Sequence, residues 1–129
     1  TDMSIDSKAR YAESHEYARP DGAEVVVGIS DHAQAELGDI VFVELPAVGK
    51  TIAKGQTFGV VESVKAASDL YMPVGGTVVA VNAALEGDPA LVNRDCYGEG
   101  WMLRVKPSDA AQLDVLMDAA AYGATVGEA

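Results

Sequence analysis

Lys65 is the residue in this sequence whose chemistry most needs an explanation. It is the only basic residue between Gly55 and Asn93, and apolar or β-branched residues dominate the stretch FGVVESVKAASDLYMPVGG around it. A lysine amine can remain a solvated surface charge, can pair with a carboxylate, or can be used covalently by another molecule. The surrounding sequence has to decide among these three uses.

A symmetric pair of glycines places Lys65 in the middle of a predicted hairpin over residues 55–75. Gly55 and Gly75 lie ten residues before and after the lysine, and each stands beside a predicted strand. A turn at residues 64–67 would put Lys65 at the tip, where solvent and other proteins can reach it. The two alanines that follow the lysine are small and would not obstruct an approaching macromolecule. The pattern favours an amine that is covalently loaded, although the Asn-Gly signal of the tightest turns is missing.

The other residues that could support catalysis or metal binding do not form a recognisable motif. His15 and His32 are far apart in sequence, and neither has a second histidine or cysteine at ligand spacing, so we expect no metal site. Cys96 has no base near it in sequence, and a small hydrolase that uses Cys96 or His15 is an alternative hypothesis. The stretch VGKT at residues 48–51 lacks the first glycine of a phosphate-binding loop, because that position is Glu44.

The composition excludes several classes of partner. The chain of 129 residues has 9 basic and 20 acidic residues and a formal net charge of −11, which repels nucleic acids and anionic lipids. Its longest apolar runs are much shorter than a membrane span, and the polar N-terminus has no signal-peptide core. One cysteine excludes an intramolecular disulfide, which suits a reducing compartment.

Short strands separated by glycine and proline predict a small β-sandwich or barrel, in one domain over residues 1–129. A first hairpin is predicted from a strand at 15–19, a turn at Pro20-Asp21-Gly22 and a strand at 24–29. A short helix follows, with Ser30 or Asp31 as its N-cap and Gly38 as its terminator.

The C-terminal third is predicted to contain a loop, a last strand and a helix. Residues 85–100 are typical of a loop with at most one helical turn. The strand WMLRVKP would place Trp101 and Leu103 on one face. A helix from about 108 to 122 would begin at a Ser108 cap. Its apolar residues at helical spacing are Leu113, Leu116 and Met117.

The stretch ESVKAASDLYMPVGG resembles the lipoyl-attachment hairpin of the glycine cleavage system H protein family. YAESHEYARP is similar to that family's N-terminal Ser-His-Glu-aromatic segment, VGISDHAQAELGDIVFVELPAVG to its next strand–helix–strand segment, and VNRDCYGEGWMLRVKPSD to its closing region. Tyr17 stands where the family more often has tryptophan, and Cys96 where it often has proline. Biotin carriers usually flank the lysine with methionines, which Val64 and Ala66 do not match. The order and spacing of the blocks make the resemblance more specific than one motif.

The resemblance implies a mainly β fold, a flattened β-barrel or sandwich hybrid of the lipoyl-domain type with short peripheral helices and a C-terminal helix. It implies that Lys65 carries lipoate as an amide, attached by a lipoate ligase or lipoyl transferase. The protein would be a carrier and not an enzyme. A non-catalytic lipoate donor or relay is the alternative within the same family.

The resemblance also implies the partners of such a carrier. It would take the aminomethyl group of glycine from a pyridoxal-phosphate glycine decarboxylase to a tetrahydrofolate-dependent aminomethyltransferase, and dihydrolipoamide dehydrogenase would reoxidise its dithiol. The compartment would be the cytoplasm in a bacterium or the mitochondrial matrix in a eukaryote.

Four further residues are candidates for the site around the lysine. Ser14, Glu16 and Asp69 match positions that the resemblance places near the stored arm, where a carboxylate would keep the aminomethyl amine protonated. Glu62 and Asp69 flank the predicted turn at −3 and +4, which fits recognition by a modifying enzyme that reads hairpin geometry and local acidity.

Overall fold

The computed structural model describes residues 4–127, in which two antiparallel sheets carry short helices at their edges. The larger sheet has the strand order β1-β2-β3-β9-β8-β5, and the smaller has the order β4-β6-β7. The strands are β1 Arg10–Tyr11, β2 Glu16–Asp21, β3 Glu24–Ile29, β4 Ile40–Glu44, β5 Thr51–Ile52, β6 Thr57–Ser63, β7 Ala67–Tyr71, β8 Gly76–Val81 and β9 Leu103–Pro107. The helices are α1 Asp31–Leu37, α2 Ala84–Gly87, α3 Leu91–Asp95 and α4 Ala119–Val126, with a 3-10 helix at Ala110–Val115.

The two sheets stack as a sandwich and do not close into a barrel. Within residues 4–127 the strands of each sheet form ladders only with strands of the same sheet. This resolves the predicted barrel or sandwich hybrid in favour of the sandwich, and it confirms the mainly β architecture with peripheral helices.

Strand β3 shows how alternation in the sequence builds two apolar clusters on the two faces of the larger sheet. Val25, Val27 and Ile29 belong to the main core, whereas Val26 belongs to a second cluster. Successive side chains of a strand point to opposite faces, so a continuous run of valines can serve both clusters. The second cluster also contains Ala9, Tyr11, Tyr17 and Tyr122.

The first hairpin turns one residue later than the sequence predicted. Pro20 and Asp21 both lie in β2, and Asp21 pairs with Glu24. The two-residue turn is therefore Gly22-Ala23, where Gly22 adopts a φ of 64° that favours glycine.

Helix α1 begins and ends at the predicted signals. The side chain of Ser30 accepts a hydrogen bond from the Ala33 amide at 3.1 Å, so Ser30 and not Asp31 is the N-cap. Gly38 ends the helix with a φ of 81°, and its amide donates to the Gln34 carbonyl. These two ends place α1 directly before β4.

The segment predicted as one helix from about 108 to 122 is instead two helices. Asp109 caps the 3-10 helix and Asp118 caps α4, so Ser108 is not the cap. Between them the backbone of Met117 exchanges two hydrogen bonds with Tyr11, at 2.8 and 2.9 Å. The helix breaks because Leu116 enters the main core while Met117 packs on the second cluster, and a single helix face could not serve both.

Two other expectations for the C-terminal third also differ from the structure. The region expected to be mostly loop contains both α2 and α3. Strand β9 begins only at Leu103, and Trp101 precedes it. Leu103 lies in the main core, whereas Trp101 packs against the second cluster, so the two do not share a face.

Gly59 is required in β6 by the close approach of its neighbour β4. A Cβ at Gly59 would lie 2.0 Å from the Glu44 carbonyl oxygen, a backbone atom that cannot move without disturbing the ladder. We therefore expect Gly59→Ala to lower the free energy of unfolding by about 1–3 kcal/mol, the usual cost of overpacking. Chemical denaturation monitored by circular dichroism measures the change.

Gly87→Ala is the matched control, since a Cβ at Gly87 would meet nothing within 4 Å. Equal stabilities of the two variants would show that the contact at Gly59 does not constrain the smaller sheet.

Candidate functional site

Lys65 lies at the tip of the hairpin formed by β6 and β7. The ladder pairs Val60 with Asp69, and its last pair joins Glu62 to Ala67. Beyond that pair, the Ser63 amide donates to the Ala66 carbonyl at 2.8 Å. The Ser63 hydroxyl accepts from the amides of Lys65 and Ala66 at 3.2 and 3.1 Å. This serine side chain stabilises the tip without an Asn-Gly pair.

The side chain of Lys65 is exposed, and its stem runs over Gly38 at the end of α1. A Cβ at Gly38 would lie 3.2 Å from the lysine Cε and 3.9 Å from its Nζ, so the glycine leaves room for the stem. The Val64 amide donates to the Asp39 carbonyl at 3.0 Å, which ties the tip to the same turn. Among residues 4–127 no carboxylate forms a salt bridge with the lysine amine.

A cavity of about 180 Å³ lies beside this hairpin, between the loop before β2, helix α1 and strand β7. Ser14, Glu16 and Asp69 all line it, so the structure brings the three candidate residues together. The apolar part of the wall comes from Ile29, Ala33, Leu37, Val61 and Leu70. The cavity thus combines this apolar wall with polar side chains from the loop before β2, from α1 and from β7.

Glu16 is the buried carboxyl group of this cavity, with only 2% of its surface exposed. The Ser14 hydroxyl donates to its Oε1, and the Tyr71 amide donates to its Oε2 at 3.0 Å. Burial raises the pKa of Glu16, and these two hydrogen bonds oppose the rise. Because Glu16 begins β2 and Tyr71 ends β7, the carboxyl group also links the two sheets.

Glu62 occupies a different place from the other candidates. It is exposed near the tip of the hairpin and does not line the cavity. Asp69 is also exposed, on the paired strand, but it does line the cavity.

The structure brings together two histidines that the sequence separated. The rings of His15 and His32 lie 4.9 Å apart between centroids, and Nε2 of His32 is 2.9 Å from Oε1 of Glu36. Desolvation lowers the pKa of His15, and the neighbouring His32 lowers it further while Glu36 opposes this. The sequence carried one signal of this cluster, the spacing of four residues between His32 and Glu36, which places them on the same face of a helix.

Cys96 is a buried thiol whose surroundings disfavour the nucleophilic thiolate form. It is 5% exposed, and desolvation raises its pKa to about 12, assisted by the charges of Asp31 and Asp95. A thiol needs a lowered pKa to act as a nucleophile. Its surroundings therefore oppose the hypothesis of a cysteine hydrolase.

A small sandwich with an exposed lysine at a rigid hairpin tip, next to a cavity that can receive a flexible group, defines a carrier protein of the swinging-arm class. Residues 9–129 match the family model described as "Glycine cleavage H-protein". The chain belongs to the glycine cleavage H-protein family.

Individual relatives agree with this assignment over nearly their whole length. The chain is 57% identical to the glycine cleavage system H protein of Chromobacterium violaceum, covering 95% of this chain and 97% of that one. It is 59% identical to glycine cleavage system H protein 2 of Pseudomonas aeruginosa, covering 95% of both. The crystal structure of a glycine cleavage system H protein from Mycobacterium marinum superimposes with a TM-score of 0.87 at 40% identity, covering 95% of this chain and 99% of that one.

The family assignment confirms the role of lipoyl carrier in the glycine cleavage system and shows that the protein is a carrier subunit, not itself catalytic. Among residues 4–127 no helix is long and apolar enough to cross a membrane.

The buried thiol has a direct test. With a pKa of about 12 in place of 9.0, the thiolate fraction at neutral pH falls about a thousandfold. We expect iodoacetamide to alkylate Cys96 at least that much more slowly in the native protein than in guanidinium, as followed by mass spectrometry. Equal rates would contradict the burial of this residue.

Proposed function

We propose that Lys65 carries lipoate, joined by an amide between its Nζ and the lipoyl carboxyl group. The observation that supports this proposal is the position of Lys65, which is exposed, free of salt bridges among residues 4–127, and at the tip of a hairpin stabilised by Ser63. When attached, the lipoyl group would supply the disulfide: one sulfur takes the aminomethyl group and the other becomes a thiol, and onward transfer of the group leaves the dithiol.

The residues around Lys65 fit this group. Gly38 leaves space for the stem of the lysine, and the cavity beside the hairpin offers an apolar wall to an acyl chain. Asp69 lies four residues after Lys65, at most about 14 Å away along an extended chain, so an acylated lysine can fold back to it. The chain itself attaches, orients and shields the arm.

The family assignment supports three functional partners and one modifying enzyme. We propose that the arm visits a glycine decarboxylase, an aminomethyltransferase and dihydrolipoamide dehydrogenase, and that a lipoate ligase or lipoyl transferase loads it. The net charge of −11 favours partners with basic contact surfaces. We propose that the modifying enzyme recognises Glu62, which is exposed next to the tip, and Asp69.

We also propose that residues 1–129 act as one carrier domain and that the protein works in a bacterial cytoplasm. The relatives from Chromobacterium violaceum and Pseudomonas aeruginosa, which are both bacteria, support this location.

The carboxylates of the cavity have a chemical role in this proposal. A neutral aminomethyl amine can use its lone pair to expel the thiolate, which ends in formaldehyde and ammonia after hydrolysis. Two unit charges about 4 Å apart attract by roughly 4 kcal/mol at an effective dielectric constant of about 20. If screening leaves about 1.4 kcal/mol, the amine pKa rises by about one unit and the neutral fraction falls about tenfold. Glu16, Asp69 and the Ser14 hydroxyl would hold the amine as a cation.

Attachment at Lys65 is tested by incubating the protein with a lipoate ligase and measuring intact mass. We expect one added lipoyl group on the native protein and none on Lys65→Arg, because a guanidinium cannot form the same amide. The variant should fold normally, since the side chain is exposed. Lipoylation of the variant at Lys50 or Lys54 would disprove the assignment.

A double variant tests whether the modifying enzyme recognises the position of the lysine at the tip or only the amino-acid composition of the tip. The double variant Val64→Lys, Lys65→Val keeps the same residues but moves the amine by one position, which redirects the side chain. We expect it to remain unmodified. Glycine–bicarbonate exchange with purified partners then distinguishes the glycine carrier from a lipoate relay.

The role of Glu16 is tested by loading the lipoylated protein and measuring formaldehyde release. We expect Glu16→Gln to lose the aminomethyl group about tenfold faster at neutral pH. The difference should shrink as pH falls, because solvent protons then keep the amine charged. A glutamine can still accept from the Tyr71 amide and donate to the Ser14 hydroxyl, so the fold should be preserved.

Glu13→Gln is the matched control, because Glu13 is exposed, lies three residues from Glu16 and does not line the same cavity. We expect release from this control at the wild-type rate, and a smaller acceleration in Asp69→Asn than in Glu16→Gln. Equal release from wild type and Glu16→Gln at neutral pH would remove Glu16 from the mechanism.

A further inference from the structure

Two histidines and a glutamate form a cluster next to the cavity, although the sequence predicted no metal site. One potential ligand atom from each of His15, His32 and Glu36 lies within 4.8 Å of the other two. His15 comes from the loop before β2, and the other two residues lie one turn apart on α1. Imidazole and carboxylate groups in this combination are ligands that divalent transition metals prefer.

His15 is held in an unusual backbone conformation that fixes where its ring points. Among residues 4–127 it is the one non-glycine residue with a positive φ, 79°. Its amide donates to the Ala12 carbonyl at 2.9 Å, and its carbonyl accepts from the Ser30 amide at 3.0 Å. Residues in this region of backbone space carry strain and cluster at functional sites.

One nitrogen of the His15 ring is already engaged, which leaves the other for a ligand. Nδ1 lies 2.7 Å from the Tyr122 hydroxyl, and that hydroxyl lies 2.6 Å from the Ser30 hydroxyl. Metal-binding histidines commonly donate the second ring N–H to an oxygen in this way, which fixes the ring and its tautomer. In the tautomer in which Nδ1–H donates to Tyr122, Nε2 of His15 carries the lone pair and is the ring atom available to a ligand.

The partners on α1 can move into metal-ligand positions with little cost. The Glu36 side chain is 67% exposed and His32 is 24% exposed, and the two now contact each other at 2.9 Å. A tetrahedral ion with bonds of about 2.0–2.2 Å brings its ligand atoms to roughly 3.3 Å apart, closer than the present upper limit of 4.8 Å. Rotation of the exposed Glu36 side chain supplies part of this contraction.

We propose that His15 Nε2, His32 Nε2 and a carboxylate oxygen of Glu36 bind one divalent transition-metal ion, with Zn²⁺ as the best match to this ligand set. Two histidines and one glutamate leave a fourth position open. His15 and Glu36 both line the cavity that contains Glu16 and Asp69, so the proposed site adjoins that cavity. The proposal does not depend on lipoylation.

The site is tested by titrating Zn²⁺ into the lipoate-free protein, with its mass verified, in a buffer without thiols. Isothermal titration calorimetry should show saturation at one equivalent. The buried thiol of Cys96 does not offer an alternative ligand. We expect His32→Gln and Glu36→Gln each to raise the dissociation constant at least about tenfold. Loss of a ligand should lower the metal affinity at least as much as loss of a residue that only hydrogen-bonds to a ligand.

Glu13→Gln is again the matched control, because it removes one nearby exposed carboxylate that is outside the cluster. It should bind Zn²⁺ as the wild type does. The proposal is overturned by absence of saturation at one equivalent, or by equal affinities of Glu36→Gln and wild type, which would indicate adventitious binding to the acidic surface.

A positioning variant adds a spectroscopic readout. Tyr122→Phe removes the hydroxyl at His15 Nδ1 but keeps the ring that stacks on Tyr11 at 4.2 Å between centroids. We expect a loss of about 10–100-fold in Zn²⁺ affinity. The visible spectrum of the Co²⁺-substituted wild type should be that of a tetrahedral site, and Glu36→Gln should abolish it. If Tyr122→Phe does not fold, the exposed Glu36 variant still decides the question.

Discussion

The antiparallel register of β6 with β7 determines both where Lys65 sits and what lies next to it. The pairing of Glu62 with Ala67 leaves a tip of only four residues, with the lysine near its centre. The same register pairs Val60 with Asp69 and turns Leu70 into the core. A shift of one residue would send Leu70 to solvent and redirect Asp69, because neighbouring side chains of a strand point to opposite faces. The register of β6 with β7 thus fixes both the position of Lys65 and the part of the cavity wall that β7 contributes.

The buried carboxyl group of Glu16 connects this hairpin to the other sheet. Its two oxygens accept hydrogen bonds from Ser14 and from the backbone of Tyr71, so the group is satisfied although it is almost fully buried. A buried carboxylate without partners would be costly, whereas one with partners positions the segments that bear them. The carboxyl group of Glu16, which the proposed function uses to hold a cationic amine, therefore also joins the loop before β2 to β7.

The two proposed roles fall on adjacent residues, His15 at the end of the loop before β2 and Glu16 at the start of that strand. Glu16, at the start of β2, lines the cavity, while the ring of the preceding His15 lies against His32 of α1 and contacts the Tyr122 hydroxyl. Tyr122 belongs to α4, so the C-terminal segment holds a ring that belongs to the N-terminal loop. The break in the C-terminal helix makes this possible, since the pairing of Met117 with Tyr11 brings the start of α4 against β1.

Local sequence determined the features that depend on neighbouring residues. Alternation and turn residues specified the strands of a β-sandwich, Ser30 and Gly38 specified the ends of α1, and the blocks around Lys65 indicated the family. Tertiary structure decided what depends on distant contacts. The C-terminal segment had the spacing of one helix, but Leu116 and Met117 are drawn into different clusters and the helix breaks. His15 and His32 lie seventeen positions apart, and only the fold of the loop against α1 brings their rings within 4.9 Å. Hydrophobic periodicity and caps act over a few residues, whereas burial and side-chain convergence require the whole chain to be folded.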